Sequence, residues 1–327
     1  MTIFNATHES IQQAANCLKN GGLVAFPTET VYGLGADASN PDAVKRIFTA
    51  KNRPENHPLI VHLSGFEQFD LWAQDIPDSA FKLAAHFFPA PLALILKKRP
   101  EVNSVVTGGQ NTIALRVPNH PVALELLRTF DGGIAAPSAN RFCRISPTQA
   151  QHVVEELGDS VDMILDGGAC QIGVESTIID LSGDKPMLLR FGQITRSELE
   201  MVLKTDVFIP NSLTQTVVRT AGMMATHYAP TTPAVRCESN LLPFLLSENE
   251  NKKIGVLTCG SQILATENCT VISLPVDSVS YAQNLYAKLR ELDALKLDFI
   301  LVEKPPQHEA WQAINDRLDK ATNDATD

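Results

Sequence analysis

The feature that most constrains this 327-residue chain is its hydrophobic rhythm, which runs, breaks off and starts again. Up to Phe191, short apolar runs alternate with stretches of helical spacing. LVAFPT (23–28), PLIVHL (58–63), LALIL (92–96), TIALRV (112–117), GIAAPSA (133–139), VDMILD (161–166), STIIDL (176–181) and MLLRF (187–191) read as buried strands. Ile11, Ala14, Ala15 and Leu18 share one helix face, which Gly21-Gly22 can end. Asn40-Pro41 supplies an N-cap and first turn for a helix carrying Val44, Ile47 and Phe48. Further helices are expected over Ser79–Phe88, Val122–Phe130 and Gln149–Leu157. So many strands with only some helical crossovers predict an α/β fold built on a mixed, twisted sheet.

From 205 to 233 no period is sustained, and Pro210, a Thr-rich stretch, AGMM, HYAP and TTP follow one another. A connector of that length inside a compact chain is functional or disordered. Beyond Pro233 the rhythm resumes. KIGVLTC (253–259), TVISLP (270–275) and DFILVEK (298–304) read as strands, and Tyr281, Leu285, Leu289, Leu292 and Leu295 mark a helix face. The pattern is that of a small doubly wound α/β domain, without the G-x-G-x-x-G of a dinucleotide site. The expected organisation is a first domain over 1–204, a linker over 205–233 and a second domain over 234–327.

Charge narrows the function. The net charge of −10 divides evenly at Lys204, with −5 on each side and no basic stripe or tail. Tight electrostatic binding to nucleic acid or to an anionic membrane is therefore not expected, although a pocket needs only a few cations. The six cysteines form no C-x-x-C and no zinc spacing with histidine, which reads as free thiols in a reducing compartment. MTIFNATHES lacks the basic and apolar regions of a secretory signal, and no apolar run approaches ~18 residues. A cytoplasmic location is expected.

Several segments carry chemistry. Pro27-Thr-Glu-Thr-Val-Tyr-Gly-Leu-Gly35 leaves a buried strand for a Gly-punctuated turn, a position that ligand sites of open α/β sheets favour. Threonine hydroxyls and close backbone approach at Gly33 and Gly35 suit a polar ligand; an ordinary strand exit is the alternative. Lys51 and Arg53 on a short loop can neutralise phosphate, or simply be solvated. His62 lies within an apolar strand. Arg116 and Arg190 also sit in apolar strands, where arginine requires an anionic partner, either a protein carboxylate or a substrate. Pro137-Ser-Ala-Asn140, Ser146-Pro-Thr148 and Glu175-Ser-Thr177 offer hydroxyls, and the helix after Pro147 offers an N-terminus. His227-Tyr-Ala-Pro230 puts an aromatic and an imidazole in the connector, as a surface turn or as a segment that closes over a site. No Ser-His-Asp order, Walker motif or metal motif is present.

In order, PTETVYGLG, K-x-RP-x-x-x-P, TIALRVP-x-HP, IAAPSAN…SPT, DGG…GVESTIID, LLR-x-G-x-IT and HYAP resemble the YrdC family of threonylcarbamoyl-AMP synthases, in its long two-domain form. The motifs run from about Ile11 to Pro230, and the second domain follows by pattern only. The resemblance implies a YrdC-type twisted mixed sheet with helices around a concave pocket, followed by a smaller Rossmann-like domain. It implies a nucleotidyltransferase that joins L-threonine, bicarbonate and ATP into threonylcarbamoyl-AMP and releases pyrophosphate. A separate complex would pass the threonylcarbamoyl group to tRNA. Thr28, His62, Arg116 and Ser176 would contact threonine. Lys51, Arg53, Thr112, Ser138, Ser146 and Arg190 would contact ATP, and His227 and Tyr228 would form a lid. No protein nucleophile is implied, because attack of a carbamate oxygen on the α-phosphorus needs positioning and charge neutralisation. Mg²⁺ would ride on the triphosphate, with no protein cage.

The chain departs from the family pattern in several places. Ala93 replaces a threonine, Phe142-Cys143 a Ser-Gly, Phe191 a proline and Ala221 a proline. Two other readings remain: a carbamoyl-adenylate-forming relative, and an RNA-binding or regulatory module. The lack of C-x-x-C opposes the first, and the acidic charge with four tyrosines and two tryptophans opposes the second.

Overall fold

A computed structural model of the chain describes residues 2–210, 218–220 and 227–325. Two compact units emerge. One comprises Met1–Phe142, Pro147–Gln171 and Glu175–Met223; the other comprises Cys143–Ser146, Ile172–Val174 and Met224–Asp327.

The first unit is built on ten strands: β1 (Ile3–Asn5), β2 (Val24–Phe26), β3 (Gly33–Asp37), β4 (Ile60–His62), β5 (Leu92–Lys97), β6 (Thr112–Arg116), β7 (Ile134–Ala135), β8 (Met163–Asp166), β9 (Thr177–Asp180) and β10 (Met187–Arg190). Their spatial order is β1-β8-β2-β3-β7-β4-β6-β5-β9-β10. Parallel pairs such as β4/β6 and β5/β9 alternate with antiparallel pairs such as β2/β3 and β5/β6, so the sheet is mixed. Its helices are α1 (His8–Lys19), α2 (Pro41–Lys51), α3 (Asp78–Phe87), α4 (Ser104–Thr107), α5 (Pro121–Phe130), α6 (Ala150–Leu157) and α7 (Arg196–Leu203). Local chemistry fixes the ends of α2: the Asn40 side chain accepts the Asp42 and Ala43 N–H groups, Pro41 opens the helix, and Asn52 closes it at φ 52°. That closure places Lys51 in the last turn and Arg53 just beyond it.

Gly33 and Gly35, read from the sequence as punctuating a turn, lie in a strand. Residues 27–32 form a turn, and the chain re-enters the sheet as β3, antiparallel to β2, with Phe26 opposite Gly33 and Val24 opposite Gly35. The reason for glycine at 35 is packing. A Cβ there would stand 2.8 Å from Ile134 Cγ2 and 2.9 Å from Phe26 Cε1.

Strand alternation sorts the side chains by face. Val61, Leu92, Leu94, Leu96, Ile113, Leu115 and Ile179 enter the main core with α2, α3 and α7. On the opposite face the two ends of the sheet diverge. At the β2/β8 end, Val24, Phe26, Met163 and Leu165 pack beneath Ile11, Ala14, Leu18, Leu126 and Leu127 of α1 and α5. Beyond β7 that face carries Ile60, Ala93, Ile95 and Ile178, with Val218 packed on them.

The second unit holds β11 (Ala234–Cys237), α8 (Leu242–Glu248), β12 (Ile254–Thr258), β13 (Cys269–Ser273), α9 (Ser278–Asp293), β14 (Phe299–Glu303), α10 (Gln312–Ala321) and β15 (Asn323–Asp324). Every strand pair is parallel, in the order β13-β12-β14-β11-β15. The helix face read from Tyr281, Leu285, Leu289 and Leu292 is buried, whereas Leu295 lies beyond the end of α9 and is exposed. Residues 205–233 are shared out. Phe208 hydrogen-bonds backbone to backbone with Pro186 and Leu188, and Ala234 opens β11. Residues 211–217 and 221–226, including Ala221, lie outside the described residues. No described helix is long and apolar enough to cross a membrane.

Candidate active site

Register draws one line across the β4 to β10 part of the first sheet. His62 on β4 pairs with Arg116 on β6, Ala93 on β5 with Ile178 on β9, and Ile178 with Arg190 on β10. The Leu94–Leu115 pairing places Ala93 beside Arg116. Residues directly opposite one another share a face. His62, Arg116, Ala93 and Ile178 thus form a single row, and Arg190 follows it beyond a bulge in β10, three strand spacings from Arg116, about 14 Å. The departure at Ala93 lies in the floor between them.

At the Arg116 end, the PTET turn folds inward. Thr28 Oγ1 donates to the Val31 carbonyl at 2.7 Å and accepts the Thr30 and Val31 N–H groups, so the threonine organises the turn itself. Thr30 Oγ1 lies 2.9 Å from Thr28 Oγ1 and accepts Arg116 Nη2 at 3.1 Å. Of the two anionic partners open to Arg116, the protein supplies one: Glu29 Oε1 stands 2.8 Å from Nη2, with both side chains about 95% buried. Neither Glu29 oxygen accepts a hydrogen bond from a described residue, and Arg116 Nε, His62 Nδ1 and His120 Nδ1 are likewise buried without one. Burial, and then the Arg116 charge, hold the His62 pKa down at about 3, so its imidazole is neutral. Burial also lowers His120, opposed by the negative charge of Glu29. The Cys170 thiol is pushed up by burial and then by Glu29, which keeps it protonated.

At the other end, Arg190 Nε donates to the Ser176 carbonyl at 2.8 Å and Nη2 to Ser176 Oγ at 3.0 Å. Two expected contact residues thereby meet directly. Gly192 makes this possible, since a Cβ there would lie 2.2 Å from the Thr177 nitrogen.

A third cluster forms around the loop after α2. Lys51 is 1% exposed, and its Nζ donates to the carbonyls of Ser138, at 2.5 Å, and Asn140. Arg53 Nη2 donates to the Pro58 carbonyl at 3.1 Å, and its guanidinium carbon lies 5.9 Å from the Phe142 ring centre. His57 meets the same ring edge-on. The aromatic substituted for serine therefore packs on the cationic loop. Phe191 instead turns toward the main core. Thr112 lines a small cleft with Pro58, Ile60, Gln110 and Val218–Thr220. That short piece of connector is tied down there: Gln110 Oε1 accepts the Arg219 N–H at 2.6 Å, and Arg219 Nη2 donates to the Gly108 carbonyl at 2.9 Å.

Ser146, His227 and Tyr228 fall in the second unit. Tyr228 is 1% exposed at φ 62°, stacked on Tyr286 with ring centres 5.9 Å apart, and the Arg317 guanidinium carbon lies 5.2 Å from its ring centre. The His227 N–H donates to the Lys320 carbonyl at 3.0 Å. The HYAP pair is thus fastened to α9 and α10, and Ser146 is fully buried. Sequence reading assigns no role to Glu29, His120 or Cys170. The signal for Glu29 was present: it is the acid inside the PTET motif, and Arg116 needed one.

The chain matches known proteins along its whole length. The family model for Sua5, YciO and YrdC, described as telomere recombination, matches residues 16–192. The model described as the C-terminal domain of threonylcarbamoyl-AMP synthase matches residues 194–323. Threonylcarbamoyl-AMP synthase of Pyrococcus abyssi is 40% identical over 337 residues, covering 98% of each chain. That of Bacillus subtilis is 40% identical over 320 residues, covering 95% of this chain and 92% of the relative. The crystal structure of P. abyssi Sua5 complexed with L-threonine superposes with a TM-score of 0.90 at 38% identity, covering 100% of both chains. With its mixed first sheet, its parallel second sheet and both domain models matched end to end, the chain belongs to the Sua5/YciO/YrdC family.

Proposed function

We infer that this chain is a threonylcarbamoyl-AMP synthase, which condenses L-threonine, bicarbonate and ATP to threonylcarbamoyl-AMP and pyrophosphate for threonylcarbamoyladenosine modification of tRNA in the cytoplasm. The observation that carries this reading is the row from Arg116 to Arg190. It sets a buried guanidinium–carboxylate pair at one end of a line across the sheet and a second anchored arginine at the other. Threonine fits the Arg116 end, its carboxylate on the guanidinium, with Thr28 and His62 as further contacts, and Ser176, held by Arg190, lies toward the nucleotide side. The nucleotide fits the Arg190, Lys51, Arg53, Thr112 and Ser138 side. The carbamate oxygen attacks the α-phosphorus in line with departing pyrophosphate, and clustered cations offset the charge that develops. These residues are Lys, Arg, Ser and Thr, a set that binds phosphate and offers no carboxylate cage, so Mg²⁺ fits as an ion carried on the triphosphate. Val218–Thr220, tied to Gln110 and Gly108, belongs to the connector, which we assign as a lid that keeps water from the mixed anhydride.

The test is pyrophosphate release with ATP, bicarbonate and each amino acid in turn. Turnover is expected only with both threonine and bicarbonate present. Serine is a poor substrate, since a methyl group is worth ~1–3 kcal/mol, and valine is worse because it leaves a hydroxyl partner unpaired. Turnover driven by carbamoyl phosphate without threonine would select a carbamoyl-adenylate enzyme instead.

A further inference from the structure

We propose that Glu29 and Arg116 act together as a reader of the α-amino acid zwitterion, with Glu29 binding the substrate ammonium and accepting its proton. The proposal rests on the threonine-activating reading and assigns to that site a residue it had not included.

The argument begins with charge. A guanidinium and a carboxylate are both buried in the floor of the first unit, 2.8 Å apart. An ion pair removed from water is stable only when its remaining hydrogen-bonding positions are filled. Here both Glu29 oxygens and Arg116 Nε have no hydrogen-bond partner among the described residues. Among the described residues His120 and the Cys170 thiol also face Glu29, both uncharged, so no second cation meets it there. An α-amino acid carries the complementary pair. Its carboxylate completes Arg116, its ammonium completes Glu29, and the four charges alternate in sign with no net charge added to the interior. A hydroxy acid would bring one uncompensated negative charge beside Glu29, and a simple amine one positive charge beside Arg116.

The same placement supplies a step the reaction needs. An ammonium has no lone pair with which to attack carbon, so it must first give up a proton, and the Glu29 carboxylate is the base placed beside it. Proton transfer from the ammonium to the Glu29 carboxylate leaves a neutral amine and a carboxylic acid. The amine then adds to bicarbonate carbon, giving the carbamate anion and one water, with charge and atoms conserved.

Calorimetry on the full-length wild-type chain gives the first arm. L-Threonine is expected to bind at least ~10-fold more tightly than 2,3-dihydroxybutyrate, its analogue lacking the amino group, because a charge-assisted hydrogen bond is lost. Equal affinities would overturn the proposal without any variant. Glu29→Gln, close in shape, is expected to weaken threonine binding by a similar factor, to leave the analogue unaffected or tighter, and to lower kcat at saturating threonine. Glu29→Asp, which keeps the carboxylate, should restore part of the discrimination. A Gln variant that still prefers threonine over the analogue by the wild-type factor sinks the zwitterion reader, and wild-type kcat in that variant sinks the proton transfer. Wild-type protein that binds threonine selectively but releases no pyrophosphate with ATP and bicarbonate would overturn the synthase reading instead, leaving the binding role of Glu29 intact.

Discussion

Two parts of one sheet face are treated in opposite ways. At the β2/β8 end, Phe26, Val24 and Met163 are sealed beneath α1 and α5, with Leu126 and Leu127 fully buried. Toward β10 the same face carries His62, Arg116 and Arg190, and among the described residues Val218 is what packs on its apolar patch. The boundary is visible at Phe26, whose ring meets His62 edge-on at 6.1 Å. The covered part gains stability from non-directional burial. The other part holds buried charges that are costly to remove from water and are kept in place by few, directional contacts. One face thus provides both a foundation and a site, and where the helices end decides which is which.

The comparison breaks most sharply at Arg116. Arg116→Ala should reduce threonine-dependent turnover by 2–4 kcal/mol, on the order of 30- to 1000-fold, as a charge-assisted bond to substrate is lost. Glu29 is then left buried and unpaired, so denaturant titration should also show a stability loss of about 3–5 kcal/mol. Threonine affinity equal to wild type would remove Arg116 from the site. In the covered part, Leu126→Ala should cost about 2–5 kcal/mol of stability through the cavity it leaves, with turnover per folded molecule unchanged. A large change in KM for threonine would show that the two parts are not separable.

Next in size is a pH effect. His62 is neutral when folded and has its pKa held down at about 3, whereas in the unfolded chain it takes a proton near its ordinary value. Between those values the unfolded state binds more protons, so stability falls as pH drops, by about 1.4 kcal/mol per pH unit from this one group. His62→Gln should flatten the urea midpoint between pH 7 and 5 relative to wild type, and parallel profiles would contradict the neutral buried imidazole. The smallest effect is expected at the connector. Val218→Ala removes part of one small cluster and should lower stability by about 1 kcal/mol, with a measurable loss of intact product. Unchanged product lifetime would detach Val218 from the lid.

Local chemistry explains what the sequence by itself determined. The α2 cap at Asn40, the amphipathic helix faces, and strands such as β5 and β6 follow from spacing, because burial of one face imposes a period. Arg116 was legible as a charge in need of a partner. Tertiary structure alone decided the rest. β3 is not readable as a strand, because its glycines answer to Phe26 and Ile134 across the sheet. β1, β11 and β15 are edge or short strands of 2–4 residues, too brief to show alternation. The row from His62 to Arg190 joins residues drawn from five separate strands, and only the pairing register aligns them. Glu29 is adjacent in sequence to two threonines, yet it meets Arg116 from 87 positions away because the turn after β2 folds in over the end of β6. Periodicity is a short-range property of the chain, whereas register and the partner of a buried charge are set by contacts between segments far apart along it.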